Sequence, residues 1–250
     1  MASATLQQAP EAPEKVNVFG RLVGVIFSPK QTFASIARQP SWLLPAVLFC
    51  LCTLGVVGAF GSRPGAWRAY MEKQFDNSQR AQQLTAQQRQ QALELQVKYA
   101  PIAAYPEVII VDFLVLLIIA VVFWGAFSVG AGLKLNFKTS LAITAHAYVP
   151  FIFSSLLAII VVLLKDPSEI DLNNPLASDV GSFLPLGTAK GLVAAGHSLD
   201  IFSFWVIALF AMGYSAVNPK KLKFGAALAW VIGLWLIYVA IKAGLTAVFT

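Results

Sequence analysis

Ionisable side chains inside long apolar runs are the residues of this chain best placed to do chemistry. Asp112, His146 and Lys242 lie inside or at the ends of uncharged stretches, where such groups are costly and mark functional sites by default. A carboxylate and an ammonium at one depth make an ion pair, or two stations for a moving ion. At ~1.5 Å rise per residue, Asp112 and Lys242 fall near one level, about a turn below one surface, with Asp200 close by. His146 sits about two turns in from the other surface, roughly 15 Å away along the membrane normal, which excludes a direct Asp112–His146 relay. The spacing therefore predicts an Asp112–Lys242 pair, joined by Asp200. The simpler role for it is structural, because carboxylates near helix N-termini are favoured by the dipole and a terminal lysine can snorkel. Pro150, in the middle of its run, frees a carbonyl and bends the helix. His146 and Tyr148 are then placed to line a polar pocket at the bend, or to hydrogen-bond a neighbouring helix.

Enzyme signatures are absent or incomplete. Gly191-x4-Gly196-His197-Ser198 resembles a phosphate loop, but histidine replaces the lysine that reaches the phosphates. His197, Ser198 and Asp200 are too close along the chain to form a triad by themselves. The only histidines are His146 and His197, so no paired metal-ligand spacing exists. Cys50 and Cys52 point to different faces of one helix and read as small buried side chains. No catalytic, cofactor-binding or metal-binding residue is expected.

The elements that must position these residues follow from composition. Hydrophobic residues make up 58% of the 250 and charged residues 12%, about half the usual charged share. A soluble fold this apolar would expose large greasy patches; a bilayer removes the problem. Crossing a ~30 Å hydrocarbon layer takes about 20 apolar residues in a helix. Five stretches free of Asp, Glu, Lys and Arg meet or approach that length: 39–62, 113–133, 139–164, 201–219 and 224–241. The expected fold is an all-α, polytopic transmembrane bundle of five spans with amphipathic interfacial helices.

With a cytoplasmic N-terminus, the inside segments carry nine Lys and Arg residues against eight outside. Two of the inside segments are very short basic loops, which weigh most in orientation. The N-terminus is expected inside and the C-terminus outside. The net charge of +6 then serves topology and anionic headgroups; no basic stripe interleaved with aromatics suggests nucleic acid.

Residues 1–14 carry two glutamates and no apolar core, and read as a disordered polar lead rather than a cleavable signal. Residues 15–41 read as cytoplasmic interfacial helices. Phe19, Leu22, Val23 and Ile26 form one apolar face, Ser28 caps a second helix with Pro29 in its first turn and Gln31 closing the capping box, and Arg21, Lys30 and Arg38 flank the stripe. Residues 42–250 form the membrane domain, with outside insertions at 63–105 and 165–200. In the first insertion, Thr85 and Gln88 make a capping box opening a helix to about Lys98, one of two expected surface helices. The second is acidic and loop-rich. Gly225, Ala229 and Gly233 fall four apart on one face of the last span, and Gly55 and Ala59 do so in the first. Such small residues suit close helix packing or simply reflect composition.

The run Arg21-Leu22-Val23-x4-Ser28-Pro29-Lys30-x2-Phe33, the tryptophan heading the first span at Trp42, and Phe202-x2-Trp205 opening the fourth resemble the Yip family. This is the Ypt/Rab-interacting-protein domain, and its prokaryotic branch is the closer likeness. The resemblance runs from about Phe19 to the C-terminus. It implies five spans, a cytosolic N-terminus and a short non-cytosolic C-terminus. Eukaryotic members are associated with prenylated small GTPases and vesicle traffic, but their Asp-Leu-Tyr-Gly-Pro segment has no counterpart here, which tells against a small-GTPase partner. The function expected is a non-enzymatic scaffold or adaptor in membrane organisation or trafficking. Its partners would be the lipid bilayer and another membrane protein or a second copy, and its location would be the inner membrane if the chain is bacterial. The competing reading is a small transporter or transporter subunit. No matching pair of interrupted spans suggests the inverted repeat common in transporters.

Overall fold

The computed structural model describes residues 17–76, 78–185 and 187–249; the polar lead expected at 1–14 lies outside them. The fold is all-α. Among the described residues, the extended pairing is limited to one isolated bridge between Asp179 and Asp200.

Helix α1 (Val18–Phe27) begins at Asn17, whose side chain accepts from Phe19 N–H, and α2 (Pro29–Arg38) follows after a single residue. Pro29 takes the first turn of α2 as expected, where its missing N–H costs nothing. Ser28 differs from expectation: its side chain makes no cap hydrogen bond, and the Thr32 hydroxyl instead donates to the Ser28 carbonyl at 3.0 Å. The larger departure is Arg21. It does not flank a lipid-facing stripe but is buried, with 4% of its surface exposed. Its guanidinium donates to the Gln39 carbonyl (2.7 Å), Ser41 Oγ (2.8 Å) and Ser35 Oγ (3.0 Å). A planar fork with five donors can hold several acceptors at once, so Arg21 staples α1 to α2 and to the approach of the next helix. Phe33 and Ile36 of α2, fully buried, join the main core with Val25. The pair is therefore docked into the bundle, and one apolar edge of α1 (Phe19, Val23, Phe27) stays exposed.

Four helical stretches are long and apolar enough to cross a membrane. Helix α3 (Leu43–Gly61) is the first. Beyond it come the short α4 (Ala66–Asp76) and α5 (Gln79–Gln82). Helix α6 (Ala86–Gly125) opens on the expected capping box, Thr85 Oγ1 accepting from Gln88 N–H and Gln88 Oε1 from Thr85 N–H. It does not stop near Lys98. Alanines between Pro101 and Pro106 keep it helical, so surface helix and span are one rod of 40 residues, ~60 Å long. A π-helical turn, Ala126–Gly130, ends it.

The expected bend at Pro150 is a helix break. Helix α7 (Phe137–Ala147) stops at Tyr148, and α8 (Val149–Leu164) restarts with the proline in its first turn. Helix α10 (Ile201–Val217) has 17 residues, ~26 Å and thus short of the ~30 Å layer. Helix α11 (Phe224–Phe249) has 26.

Helix α10 is the hub, packing on α2, α7, α8 and α11, while α3 lies along α6 and α8. Gly213 of α10 sits where any side chain would meet Ile143 of α7 and the Phe33 ring of α2. The 165–200 insertion closes over one end. Its short α9 (Lys190–Gly196) lies on α11, with Gly191 against the Ala243 carbonyl and Ala247. Three of its aspartates act as caps: Asp166 accepts from Ser168 N–H, Asp171 from Asn173 N–H and Asp179 from Ser182 N–H. Arg63 donates to the Val162 and Leu163 carbonyls, covering the C-terminal dipole end of α8.

Candidate functional site

A cleft of about 460 Å³ opens between α6, α8, α10 and α11. It exists because α11 packs on α9 and α10 but not along α6. Its walls are apolar: Val115, Ile119 and Phe123 from α6, Val206 and Phe210 from α10, Leu234 and Trp235 from α11. Aromatic rings close the floor. Phe123 stacks on Phe210 at 4.5 Å between centroids, Phe127 on Tyr214 at 4.1 Å, and Phe127 approaches Trp230 at 6.3 Å. Beneath them Ser140 Oγ lies 2.7 Å from both the Tyr214 hydroxyl and the Ala120 carbonyl, which satisfies the buried hydroxyls.

The opposite end, under the 165–200 insertion, is polar, with His197, Ser198, Ser203 and Lys242 on the lining. Lys242 Nζ donates to Ser198 Oγ at 3.3 Å. His197 Nδ1 is 2.7 Å from Asp179 Oδ1, an arrangement that puts the proton on Nδ1. Asn174 Nδ2 donates to Asp179 Oδ2 at 2.5 Å and to Ser182 Oγ at 2.8 Å. Burial pushes the Asp179 carboxyl up, but hydrogen bonds from His197, Ser182 N–H and Asn174 outweigh it and hold it below the ordinary carboxylate value. Gly181 and Gly196 cross so closely that a Cβ on Gly196 would stand 2.7 Å from Gly181 Cα, which lets the two sides of the insertion meet.

The residues singled out from the sequence are distributed differently. Lys242 is in the cleft; Asp112 is not its partner. The ion pairs among the described residues include Arg68–Glu72, Arg89–Asp76 and His197–Asp179, and neither Asp112 nor Lys242 is in one of these. Asp112 has the Thr53 hydroxyl of α3 as its polar neighbour and leaves one buried carboxylate oxygen without a hydrogen bond. Rise per residue fixes depth but not azimuth, and α6 turns Asp112 away from α11. Asp200 does not join them either. It caps α10, accepting from Phe202 N–H (3.0 Å) and Ser203 N–H (3.2 Å) and from Ser178 Oγ.

His146 and Tyr148 do not share a pocket. His146 is fully buried, its Nδ1 2.8 Å from the Ala142 carbonyl of its own helix and its Nε2 without a partner. Tyr148 lines the cleft, held edge-on to Phe49 and Phe151. Gly225 and Gly233 have no atom within contact of where a side chain would start, so their stripe with Ala229 faces away from the rest of the chain. The Asp179–His197 pair escaped the sequence reading because its partners are 18 residues apart. The available signal was a histidine next to Gly196 and an aspartate two residues before Gly181 in one insertion.

The helices of spanning length and the lipid-facing apolar surface make this an integral membrane protein of the polytopic α-helical class. Within that class the sequence matches the Yip1 domain over residues 23–241. The chain belongs to the Yip family. No curated protein and no solved structure matches it.

Proposed function

We infer that this Yip-family protein is a non-enzymatic scaffold or adaptor that organises a membrane through the α1–α2 end of its bundle. The observation that carries the reading is the exposed apolar edge of Phe19, Val23 and Phe27 on a helix that Arg21 ties to α2, itself seated in the core through Phe33 and Ile36. A flexible anchor would need no such staple. Around that edge the exposed lysines and arginines Lys30, Arg38, Lys134, Lys138, Lys220 and Lys223 give the same end of the bundle a basic surface, suited to an anionic cytoplasmic leaflet. This supports a cytoplasmic N-terminus, five passes with α10 as the fourth, and a C-terminus outside. The small-residue face of Gly225, Ala229 and Gly233, unfilled within the chain, offers a second copy or another membrane helix a close approach. Against transport, the walls of this cleft are apolar and its floor is closed by stacked rings.

A photo-crosslinking residue at Phe27, activated in native membranes, tests the reading. A discrete protein adduct, either of this chain or of one other membrane protein, is the expected result. That adduct should disappear when Phe19 and Val23 become serine while the melting temperature in detergent is unchanged. Adducts with lipid alone would overturn the scaffold role.

A further inference from the structure

We propose that the cleft between α6 and α11 binds a single-chain anionic amphiphile, a long-chain fatty acid carboxylate, that enters sideways from the bilayer. At about 460 Å³ the cleft is in the size class of small-molecule sites. Its chemistry is graded along its length. One end is hydrocarbon walled by Ile119, Val206, Phe210 and Trp235 above the ring floor, and the other carries Lys242 and Ser198. An apolar cavity of this size gains from being filled, because lining atoms without partners forfeit their dispersion contacts. Water would find too few hydrogen-bond partners on those walls. Acyl chains are the abundant apolar solute beside the side opening between α6 and α11.

Charge selects the head group. Lys242 has no carboxylate within ion-pair distance among the described residues; its hydrogen bond is to Ser198 Oγ. The carboxylate whose field it feels, Asp179, is already committed to His197, Asn174 and Ser182. An ammonium half sunk in a membrane protein favours an anionic partner. A carboxylate at the polar end would accept from Lys242 Nζ while its chain lay along α6; Ser198, whose hydroxyl donates to the Ala194 carbonyl, holds the ammonium there. One ammonium matches one carboxylate, and one narrow cleft matches one chain.

The test uses the full-length protein in liposomes and three chain-diazirine probes: palmitic acid, the matching C16 alcohol, and a two-chain phosphatidylcholine. The palmitate probe is expected to mark Ile119, Val206 and Trp235 and to be displaced by unlabelled palmitate. Lys242→Gln should cut that labelling about tenfold, one charged hydrogen bond's worth, and leave labelling by the alcohol unchanged. Ser198→Ala should weaken palmitate labelling less. Adducts spread evenly to lipid-facing Leu51, Ile160 and Leu236, or labelling indifferent to competing palmitate, would overturn the site. An equal loss for acid and alcohol in Lys242→Gln would overturn the head-group assignment. Cleft labelling by phosphatidylcholine that palmitate fails to displace would overturn the single-chain assignment. None of these outcomes depends on the scaffold reading, because crosslinks at Phe27 and in the cleft are read separately.

Discussion

Asp179 concentrates what the 165–200 insertion does with its charges. It is buried, it accepts from His197, Ser182 and Asn174, and it holds that part of the insertion over the polar mouth of the cleft. A carboxyl depressed below its ordinary value adds stability that is present above the unfolded pKa and lost as pH falls through the folded one. For Asp179 the loss therefore falls below about pH 4. Replacing it with asparagine should cost ~1–3 kcal/mol near neutrality. The gap in melting temperature between wild type and Asp179→Asn in detergent should then narrow as pH drops from about 5 to about 3. A gap constant across that range would mean that the ionised carboxylate does not hold the insertion. The sequence showed the aspartates and their turn partners but not which would be drawn together. Asp166, Asp171 and Asp200 could each be read locally as caps, since their partners lie two or three residues on. The His197 contact is tertiary, with no local trace.

Glycines at helix contacts show the same division one scale up. The spacing singled out the Gly225–Ala229–Gly233 stripe and not Gly213, and the two meet opposite surroundings. A side chain on Gly213 would collide with Ile143 and Phe33, where α10, α7 and α2 converge. Gly233 faces open space. Gly213→Leu should lower stability by ~1–3 kcal/mol or more, since overpacked cores shift backbone and rotamers. Gly233→Leu should stay within about 0.5 kcal/mol of wild type. Thermal unfolding in detergent reads both, and comparable losses would mean that the stripe is buried after all. What was legible at this scale was element type and most boundaries, because uncharged length and the Thr85 capping box are local. The fusion of the expected surface helix with its span, the docking of α1–α2 and the face presented by Asp112 were not. Each depends on which neighbour a helix turns to, and that is settled by packing between segments far apart in sequence.

For the whole molecule we predict five crossings, with the 17 residues of α10 making one of them beside α11. Helices α10 and α11 pack antiparallel, joined at one end by the short turn 218–223. At the other end α9, four residues ahead of α10, lies on the last turns of α11, Gly191 meeting Ala243 and Ala247. The two helices thus share a level at the 218–223 turn and again where Lys242 of α11 reaches Ser198, just ahead of α10, with the last turns of α11 running beyond. Helix α11, at ~39 Å, is long enough to cross; if it crosses, α10 crosses beside it. Its shorter length is tolerable because much of its surface faces protein, with Val206, Leu209, Phe210, Ala211 and Tyr214 buried among α2, α7 and α11. Single cysteines at Asn173, Lys220 and Val248, in a chain whose Cys50 and Cys52 are serine, separate the alternatives with a membrane-impermeant maleimide on intact cells. Five crossings predict that 173 and 248 react at once and that 220 reacts only after permeabilisation. Were α10 to re-enter on the side it left, 220 would react with 173, and 248 would be the protected site.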